Sequence, residues 1–419
     1  MSTGRSPMNK LVLASYGIIA LVELAVLFGI PVPPHMQLLI LATLTVFLGA
    51  HTYVAVRGDG TNEKTMSHSD AAQMPVVAGI MLVGLYVIFK YVTQEYVNVA
   101  LKLYFCLVGS FSFASSLQVL TQLVLSNKRS KPLFIIPAIW QVTETPTPVT
   151  PAAIGAFVLG TIICAWYGLT NHWLANNLMG IAFCIQAISL VPIGRYDVGA
   201  LMLGGLFFYD IFMVFYSGSA LSSLTGGESV MVAVAMKIDG PIKLLFPIPA
   251  DQVAPGGRNH SLLGLGDIAI PGMFIAFLLQ FDAERALQNG KRNTLQQKEK
   301  STNIKKGKKK DDDDDEEDDE DAALSITGNF SKPYFNASLF AYMLGLILTV
   351  VVMYSFESAQ PALLYLVPAV LLMSFGQAII RGEVTPLLAY RTENEVETVN
   401  NAKKEKEEAA ATATSKKSD

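Results

Sequence analysis

The chain has 419 residues, of which 51% are hydrophobic and only 16% are charged, and its formal net charge is −4 at pH 7. Its mean hydropathy is +0.40. A soluble protein of this length carries more charge and has shorter apolar runs. The composition therefore excludes an ordinary soluble globular protein and indicates an integral membrane protein.

Ten long apolar stretches follow one another along the chain. They cover residues 11–30, 37–56, 75–93, 99–125, 153–170, 173–193, 199–219, 261–281, 334–355 and 361–380. Each is long enough to cross roughly 30 Å of hydrocarbon as a helix. Because lipid offers the backbone no hydrogen-bond partners, these segments are predicted to be helical. The predicted fold class is an all-α polytopic membrane protein.

The first stretch fits two interpretations. Residues 1–30 begin with basic residues and continue with an apolar run, as a secretory signal peptide does. The run is longer than the usual core of a signal peptide, it contains Glu23, and no clear small-residue cleavage site precedes Pro31. We favour a retained signal-anchor helix. Cleavage would leave nine helices and would not change the rest of the topology.

The basic residues predict the orientation of the helices. With a cytosolic N-terminus and alternating helices, the cytosolic side receives Arg5, Lys10, Arg57, Lys64, Lys128, Arg129, Lys131, Arg195, the lysine-rich segment near residue 305 and the C-terminal tail. The opposite side receives only Lys237, Lys243 and Arg258. The positive-inside rule favours this orientation, which places both termini in the cytosol.

Two aspartates interrupt the stretches 199–219 and 261–281. They are Asp210, in GGLFFYDIFMVF, and Asp267, in LLGLGDIAIPGMF. A carboxyl group inside a membrane span costs several kcal/mol, so it indicates a functional site. The two helices are antiparallel, and both aspartates are predicted to lie roughly 16–21 Å from the cytosolic surface, so they can meet. Pro271 has no N–H to bind the Asp267 carbonyl, which favours a loosened helix there.

The lumenal segment 220–260 contains an apolar run at residues 230–235, VMVAVA. A buried strand, a membrane-surface helix and a re-entrant packing segment are all compatible with this run. We favour a strand, because valine alternates at positions 230, 232 and 234. An exposed strand edge beside the aspartates would hold a substrate extended through main-chain hydrogen bonds.

Two charged segments lie outside the predicted spans. Residues 285–332 include eleven consecutive acidic residues at 311–321. This composition predicts a disordered cytosolic loop, either a solvated spacer or a docking site for a basic partner. The tail, residues 391–419, is predicted to be disordered as well. Its Lys416 and Lys417 stand where a dilysine ER-retrieval signal has its lysines.

Other proteolytic chemistries find little support. The three cysteines, Cys106, Cys164 and Cys184, fall within apolar stretches and lack metal-site or disulfide spacing. The five histidines form no HExxH motif, which argues against a zinc protease, and no GxSxG sequence occurs. No metal and no cofactor is expected.

The motifs around the aspartates resemble those of presenilin-type intramembrane aspartyl proteases. The matching residues are Tyr209-Asp210 in the YD motif, Gly264-Leu265-Gly266-Asp267 in the GxGD motif and Gln360-Pro361-Ala362-Leu363 in the PAL motif. Longer strings resemble signal peptide peptidase rather than presenilin; these are QEYVN (94–98), WLANNLMGIAF (173–183), PIKLLFP (241–247) and QPALLYLVP (360–368). The resemblance covers residues 68–390.

The resemblance implies an aspartic endopeptidase that cleaves remnant signal peptides and type II-oriented transmembrane helices in the endoplasmic reticulum membrane. Asp210 and Asp267 would share one proton: the ionised carboxylate would activate water and the protonated one would polarise the scissile carbonyl. The PAL residues would support the site and help to hold the substrate extended, with Tyr209 beside it. The fold implied is a nine-helix presenilin-like core with an extra N-terminal helix.

The predicted organisation combines these observations. It comprises a signal-anchor-like segment (1–36), N-terminal transmembrane helices (37–198), a catalytic helix pair with its lumenal loop (199–281), a disordered charged loop (282–333), C-terminal helices with the PAL motif (334–390) and a disordered tail (391–419). Expected partners are transmembrane peptide substrates and the lipid bilayer. A second copy of the chain and ER quality-control proteins are further candidates, and no nucleic-acid partner is expected.

Two other functions are compatible with isolated membrane aspartates. A proton-coupled transporter uses such groups as relays, but it should show an internal repeat and paired broken helices, and no convincing repeat is visible. A non-catalytic scaffold that holds membrane proteins for degradation does not require the aspartates, and both are intact here.

Overall fold

The structure is a computed structural model that describes residues 7–57, 65–124, 134–136, 147–227, 229–249, 259–304, 330–356 and 360–392. Its helices are α1 (Pro7–Leu27), α2 (Pro34–Arg57), α3 (His68–Tyr91), α4 (Gln94–Val124), α5 (Pro151–Thr170), α6 (Trp173–Leu190), α7 (Tyr196–Ile211), α8 (Ser217–Ala220), α9 (Ser222–Thr225), α10 (Val230–Lys237), α11 (Leu265–Ile304), α12 (Pro333–Phe356), α13 (Leu363–Arg381) and α14 (Val384–Ala389). A π-helix, Phe212–Tyr216, joins α7 to α8.

Ten spans in these described residues are long and apolar enough to cross a membrane. They are α1 to α6, the run from α7 through α8, α11, α12 and α13. The predicted all-α polytopic fold is therefore confirmed.

The core of the bundle is built on α11. Its segment from Ile268 to Phe281 is almost continuously buried, and the helix packs against α2, α6, α7, α12 and α13. A helix that is apolar on every side gains from burial on every side. The apolar span of α11 therefore occupies the centre of the bundle, and these five helices surround it.

Two small antiparallel sheets accompany the helices. Strands β1 (Phe134–Ile136) and β2 (Thr147–Val149) pair with each other, and β3 (Lys243–Pro247) pairs with β4 (His260–Gly264). The second hairpin matters for the site, because β4 ends where α11 begins. The N–H of Leu265 also donates to the carbonyl of Ile242 over 3.0 Å, which closes the base of the hairpin.

One end of the bundle carries a buried polar network. Arg285 of α11 forms an ion pair with Glu383, and Glu383 also accepts from the hydroxyl of Tyr334 over 2.9 Å. Asp282 accepts from the N–H of Phe335 over 2.9 Å, which satisfies a free donor at the start of α12. These contacts fix the ends of α11, α12 and α14 relative to one another.

The segment predicted as a strand at 230–235 is helical instead, because it lies within α10. Val230, Ala233 and Val234 are buried together, and this spacing is the helical i, i+3, i+4 pattern. They pack against Tyr86 and Phe89 of α3. The strand predicted from the alternating valines was therefore wrong, because this segment buries one face of a helix against α3.

Two boundaries near α11 also differ from the predictions. The apolar stretch 261–281 is not one helix: its first four residues belong to β4, so Asp267 lies in the first turn of α11. At its other end α11 continues to Ile304, into the segment predicted to be disordered from residue 282. The acidic run and the tail, with Lys416 and Lys417, lie outside the described residues.

Candidate active site

Asp210 lies near the end of α7 and is almost completely buried, with 3% of its surface exposed. The backbone N–H of Leu363, the first residue of α13, donates to its carboxylate. The other carboxylate oxygen, Oδ2, has no hydrogen-bond partner among the described residues. A buried acceptor without a partner is costly, so its retention indicates a chemical use.

Asp267 lies in the first turn of α11 and is half-buried. Its backbone carbonyl accepts a hydrogen bond from the hydroxyl of Tyr342, on α12, over 3.2 Å. The sequence predicts that Pro271 leaves this carbonyl without its helical partner. The structure supplies Tyr342 in place of the missing N–H, so a neighbouring helix satisfies the carbonyl that Pro271 leaves free.

The two carboxyl groups belong to one site. Helices α7 and α11 are in contact, and the charge of Asp210 acts on Asp267. Two carboxyl groups that interact in a buried environment cannot both ionise easily, so they tend to share a proton. Such a pair can supply a general base and a general acid side by side.

The PAL residues reach the site through the backbone. Pro361, Ala362 and Leu363 are buried at the start of α13, and it is the N–H of Leu363 that contacts Asp210. Gln360 precedes them and is half-buried. The structure therefore brings this predicted segment to the aspartates.

The glycines of the GxGD motif differ in their surroundings. A Cβ atom on Gly264 would lie 3.2 Å from Oδ2 of Asp267. A Cβ on Gly266 would meet nothing closer than Cδ1 of Ile270, at 3.7 Å. Leu265, between them, packs against Gly180 of α6. Gly264 is therefore the glycine whose missing side chain leaves room for the Asp267 carboxyl group.

An apolar groove of about 820 Å³ runs between α3 and α7. Residues 75–84 of α3 line one side, and residues 205–213, from α7 and the π-helix, line the other, together with Leu221. Tyr209, the residue before Asp210, is one of the lining residues. A groove of this shape suits an apolar helix better than a polar ligand.

The α-helix that carries Asp210 changes to a π-helix directly after it. The carbonyl of Met213 accepts from the hydroxyls of Ser217 and Ser229, over 2.6 and 2.9 Å. The N–H of Val230 donates to Ser217 Oγ over 3.1 Å. The π-helix is therefore tied to the start of α10, and wide turns of this kind are frequent at functional sites.

Sequence reasoning missed the polar residues that hold the hairpin beside Asp267. Asn177 of α6 accepts from the N–H of Leu245 over 2.7 Å and donates to its carbonyl over 2.8 Å. Asn176 donates to the carbonyl of Lys243 over 2.7 Å. Two adjacent asparagines inside an apolar span were a visible signal, because amides there need partners.

An asparagine of the string QEYVN likewise binds backbone groups of the segment that precedes β3. Asn98 of the QEYVN string donates to the carbonyl of Lys237, at the end of α10, and accepts from the N–H of Asp239. Within the described residues, no group of three or more potential metal ligands occurs.

Comparison with known proteins decides the family. Residues 59–394 match the family model described as signal peptide peptidase. The chain belongs to the signal peptide peptidase family. It is 33% identical over 366 residues to signal peptide peptidase of Homo sapiens, across 85% of this chain and 83% of the human protein. The Mus musculus protein gives the same identity and coverage. Intramembrane protease 2 of Caenorhabditis elegans is 38% identical over 238 residues, across 56% of this chain and 42% of that protein.

Membership of the signal peptide peptidase family makes the chain a multi-pass intramembrane aspartyl protease that acts on transmembrane peptides in the bilayer. The predicted family and enzyme class are confirmed. Helices α1 and α2 both precede the matched residues.

Proposed function

We propose that Asp210 and Asp267 are the catalytic dyad, and that the chain cleaves remnant signal peptides and type II-oriented transmembrane helices in the endoplasmic reticulum membrane. The observation that carries the proposal is the interacting pair of carboxyl groups on α7 and α11, one with an unpartnered buried oxygen. The name of the human relative, signal peptide peptidase, supports the substrate class.

In the proposed reaction the dyad holds one proton. The ionised carboxylate removes a proton from water as the water oxygen attacks the scissile carbonyl carbon. The protonated carboxyl group donates to the carbonyl oxygen, which gives a neutral tetrahedral diol. One carboxyl group then donates a proton to the amide nitrogen while the other, as carboxylate, removes a proton from a diol hydroxyl; the carbon–nitrogen bond breaks, and the dyad again holds one proton. The N–H of Leu363 would stabilise Asp210 whenever it is ionised.

The surroundings supply a route for the substrate. The groove between α3 and α7 reaches Tyr209, and an apolar substrate helix entering there would arrive beside Asp210. Its cleaved segment must be extended, because a helical backbone shields the scissile amide.

Strand β4 offers a template for that extended segment. The outer edge of β3 is occupied by Asn176 and Asn177. No strand of the described residues pairs with the outer edge of β4, and β4 leads directly to Asp267. The strand addition that the sequence placed at 230–235 is therefore proposed at β4 instead.

Cleavage of a signal-peptide-like helix by the purified full-length protein in lipid tests the proposal. Asp210→Asn and Asp267→Asn should each reduce cleavage to background, because neither variant can alternate between acid and base. Asp282→Asn is the matched control: Asp282 is a buried aspartate of the same helix α11 that accepts from the start of α12, and asparagine keeps an acceptor there. Appreciable turnover by either dyad variant contradicts the assignment.

The membrane orientation of the protein and its retention in the endoplasmic reticulum are tested separately in cells. A tag near Asp315 should face the cytosol, and a tag at Gly227 should face the lumen. Changing Lys416 and Lys417 to serine should let the protein leave the endoplasmic reticulum. Protection of the tags in the opposite sense would reverse the proposed orientation, and unchanged residence would show that the two lysines are dispensable.

A further inference from the structure

Helix α1 carries a carboxyl group inside the bundle. Glu23 has 2% of its surface exposed, and its Oε1 accepts a hydrogen bond from Nδ2 of Asn177 over 3.1 Å. Its other oxygen, Oε2, has no hydrogen-bond partner among the described residues. A buried glutamate is expensive in a membrane helix, so this contact requires an explanation.

The orientation of the Asn177 amide follows from its partners. Its oxygen accepts from the N–H of Leu245, and one N–H of its nitrogen donates to the carbonyl of the same residue. The second N–H of that nitrogen is the one directed at Glu23. Asn177 is fully buried, so this last donor would have no water to replace Glu23. Only an acceptor at position 23 completes the hydrogen bonds of the amide.

The contact extends to the candidate active site through β3. Leu245 pairs with Leu262 of β4, and Lys243 pairs with Gly264. Gly264 in turn lies against the carboxyl group of Asp267. A shift of the Asn177 amide therefore moves β3, and with β3 the edge of β4 and the start of α11.

We propose that Glu23 is a positioning residue for the β3–β4 hairpin: by accepting from Asn177, α1 fixes the amide that holds β3, and thereby the substrate edge of β4 beside Asp267. The inference rests on the proposed function, because cleavage is one of its readouts. Glu23 lies outside the residues that match the family model, whereas Asn177 lies inside them. The contact thus joins a helix outside the matched residues to an asparagine inside them.

The test compares Glu23→Leu and Glu23→Gln in the full-length protein. Glutamine keeps an acceptor for Asn177, whereas leucine removes it and is better tolerated in an apolar helix. Ser15→Ala is the matched control, because Ser15 is a buried polar residue of α1 whose hydroxyl bonds within its own helix, to the carbonyl of Leu11.

Three measurements separate positioning from mere stability. We expect Glu23→Leu to lower kcat about tenfold with a smaller change in KM, because a scissile bond misplaced by a fraction of an ångström reacts slowly. Amide exchange at residues 243–247 should accelerate in the same variant. Glu23→Gln and Ser15→Ala should match the unmodified protein in both readouts, and all variants should still bind a small inhibitor of the carboxyl pair.

A double variant tests the route of the effect. If Glu23 acts through Asn177, then Glu23→Leu combined with Asn177→Ala should be no worse than Asn177→Ala alone. The proposal is overturned if Glu23→Leu matches the unmodified protein, or if Glu23→Gln loses as much activity as Glu23→Leu. Additive losses in the double variant overturn it as well.

A second variant and a readout that does not depend on cleavage complete the test. If Glu23→Leu does not fold, Glu23→Met provides the same comparison with an unbranched side chain. If the unmodified protein cleaves no helix, the proposed function fails, while exchange at residues 243–247 still decides whether Glu23 positions the hairpin.

Discussion

The inner and outer helices of the bundle differ in how they are held. In the apolar spans of α2, α6 and α11, 72%, 67% and 78% of the residues are buried. In the span of α3, only 11% of the residues are buried. Asp267 lies in the first turn of the inner helix α11, and the hairpin β3–β4 is bound by asparagines of the inner helix α6. Asp210 lies on α7, whose span is 39% buried and which packs against α3.

The candidate site therefore lies where a well-packed region meets a loosely packed one. Dense packing fixes the geometry of a catalytic group, whereas helices with few buried contacts move at lower cost. Asp267 therefore stands on a helix of the core, whereas Asp210 stands on a helix that lines the groove. Four substitutions test this division, in order of decreasing effect.

The largest effect is expected at Gly264, on the inner side. Gly264→Ala places a methyl group 3.2 Å from Oδ2 of Asp267 and should lower kcat on the order of tenfold or more, because the carboxyl group must shift. Gly266→Ala is the control, since its Cβ meets nothing within 3.7 Å except Ile270. Neither glycine has a positive φ, so alanine fits both backbones. Equal losses in the two variants would contradict the crowding argument.

A smaller effect is expected for a substitution in the groove between α3 and α7. A Cβ on Gly84 meets no atom within 4 Å, and Gly84 lines the groove between α3 and α7. Gly84→Phe should therefore fill the groove without disturbing the fold and raise KM several-fold, with inhibitor binding at the aspartates unchanged. Gly155→Phe on α5, also in open space, is the control. An unchanged KM for Gly84→Phe would remove the groove from the substrate route.

A third substitution tests the hydrogen bond between the hydroxyl of Tyr342 and the backbone carbonyl of Asp267. Tyr342→Phe leaves the Asp267 carbonyl without a donor, which costs about 1–3 kcal/mol and should lower kcat several-fold. Tyr334→Phe removes a comparable hydrogen bond, to Glu383, at the far end of the same helix. It should lower the thermal midpoint without changing kcat. If both variants keep full kcat, the hydroxyl of Tyr342 has no part in holding Asp267.

The smallest effect concerns stability at the polar end of the bundle. Burial lowers the pKa of Lys332 to about 8 from 10.5, against the opposing attraction of Asp282. Between these two values the unfolded chain binds more protons than the folded one, so stability should rise as pH increases from 8 to 10.5. Lys332→Met should raise the thermal midpoint at pH 7 and flatten that rise. A steeper pH dependence in the variant would contradict this assignment.

The sequence predicted those features that depend on single spans. Ten apolar stretches predicted ten helices, and isolated carboxyl groups predicted the pair on α7 and α11. Pro271 predicted a carbonyl without a helical partner, but it did not predict that Tyr342 is the donor. A partner 75 positions away along the chain depends on which helices pack together, and apolar composition does not encode that.

The short elements could not be predicted for a related reason. The run at 230–235 and the residues 260–264 are both brief, so their periodicity does not distinguish helix from strand. Packing decided each case. The first run buries one helical face on α3, whereas the second pairs with β3, which is held by Asn176 and Asn177.

The contact between Glu23 and Asn177 also sets an order of events during synthesis. The two residues are 154 positions apart. At the usual rate of translation, roughly 10–30 s pass after Glu23 is made before Asn177 is made. The contact between α1 and α6 can therefore form only after α6 has been made, although α1 also packs against α2, which is made much earlier.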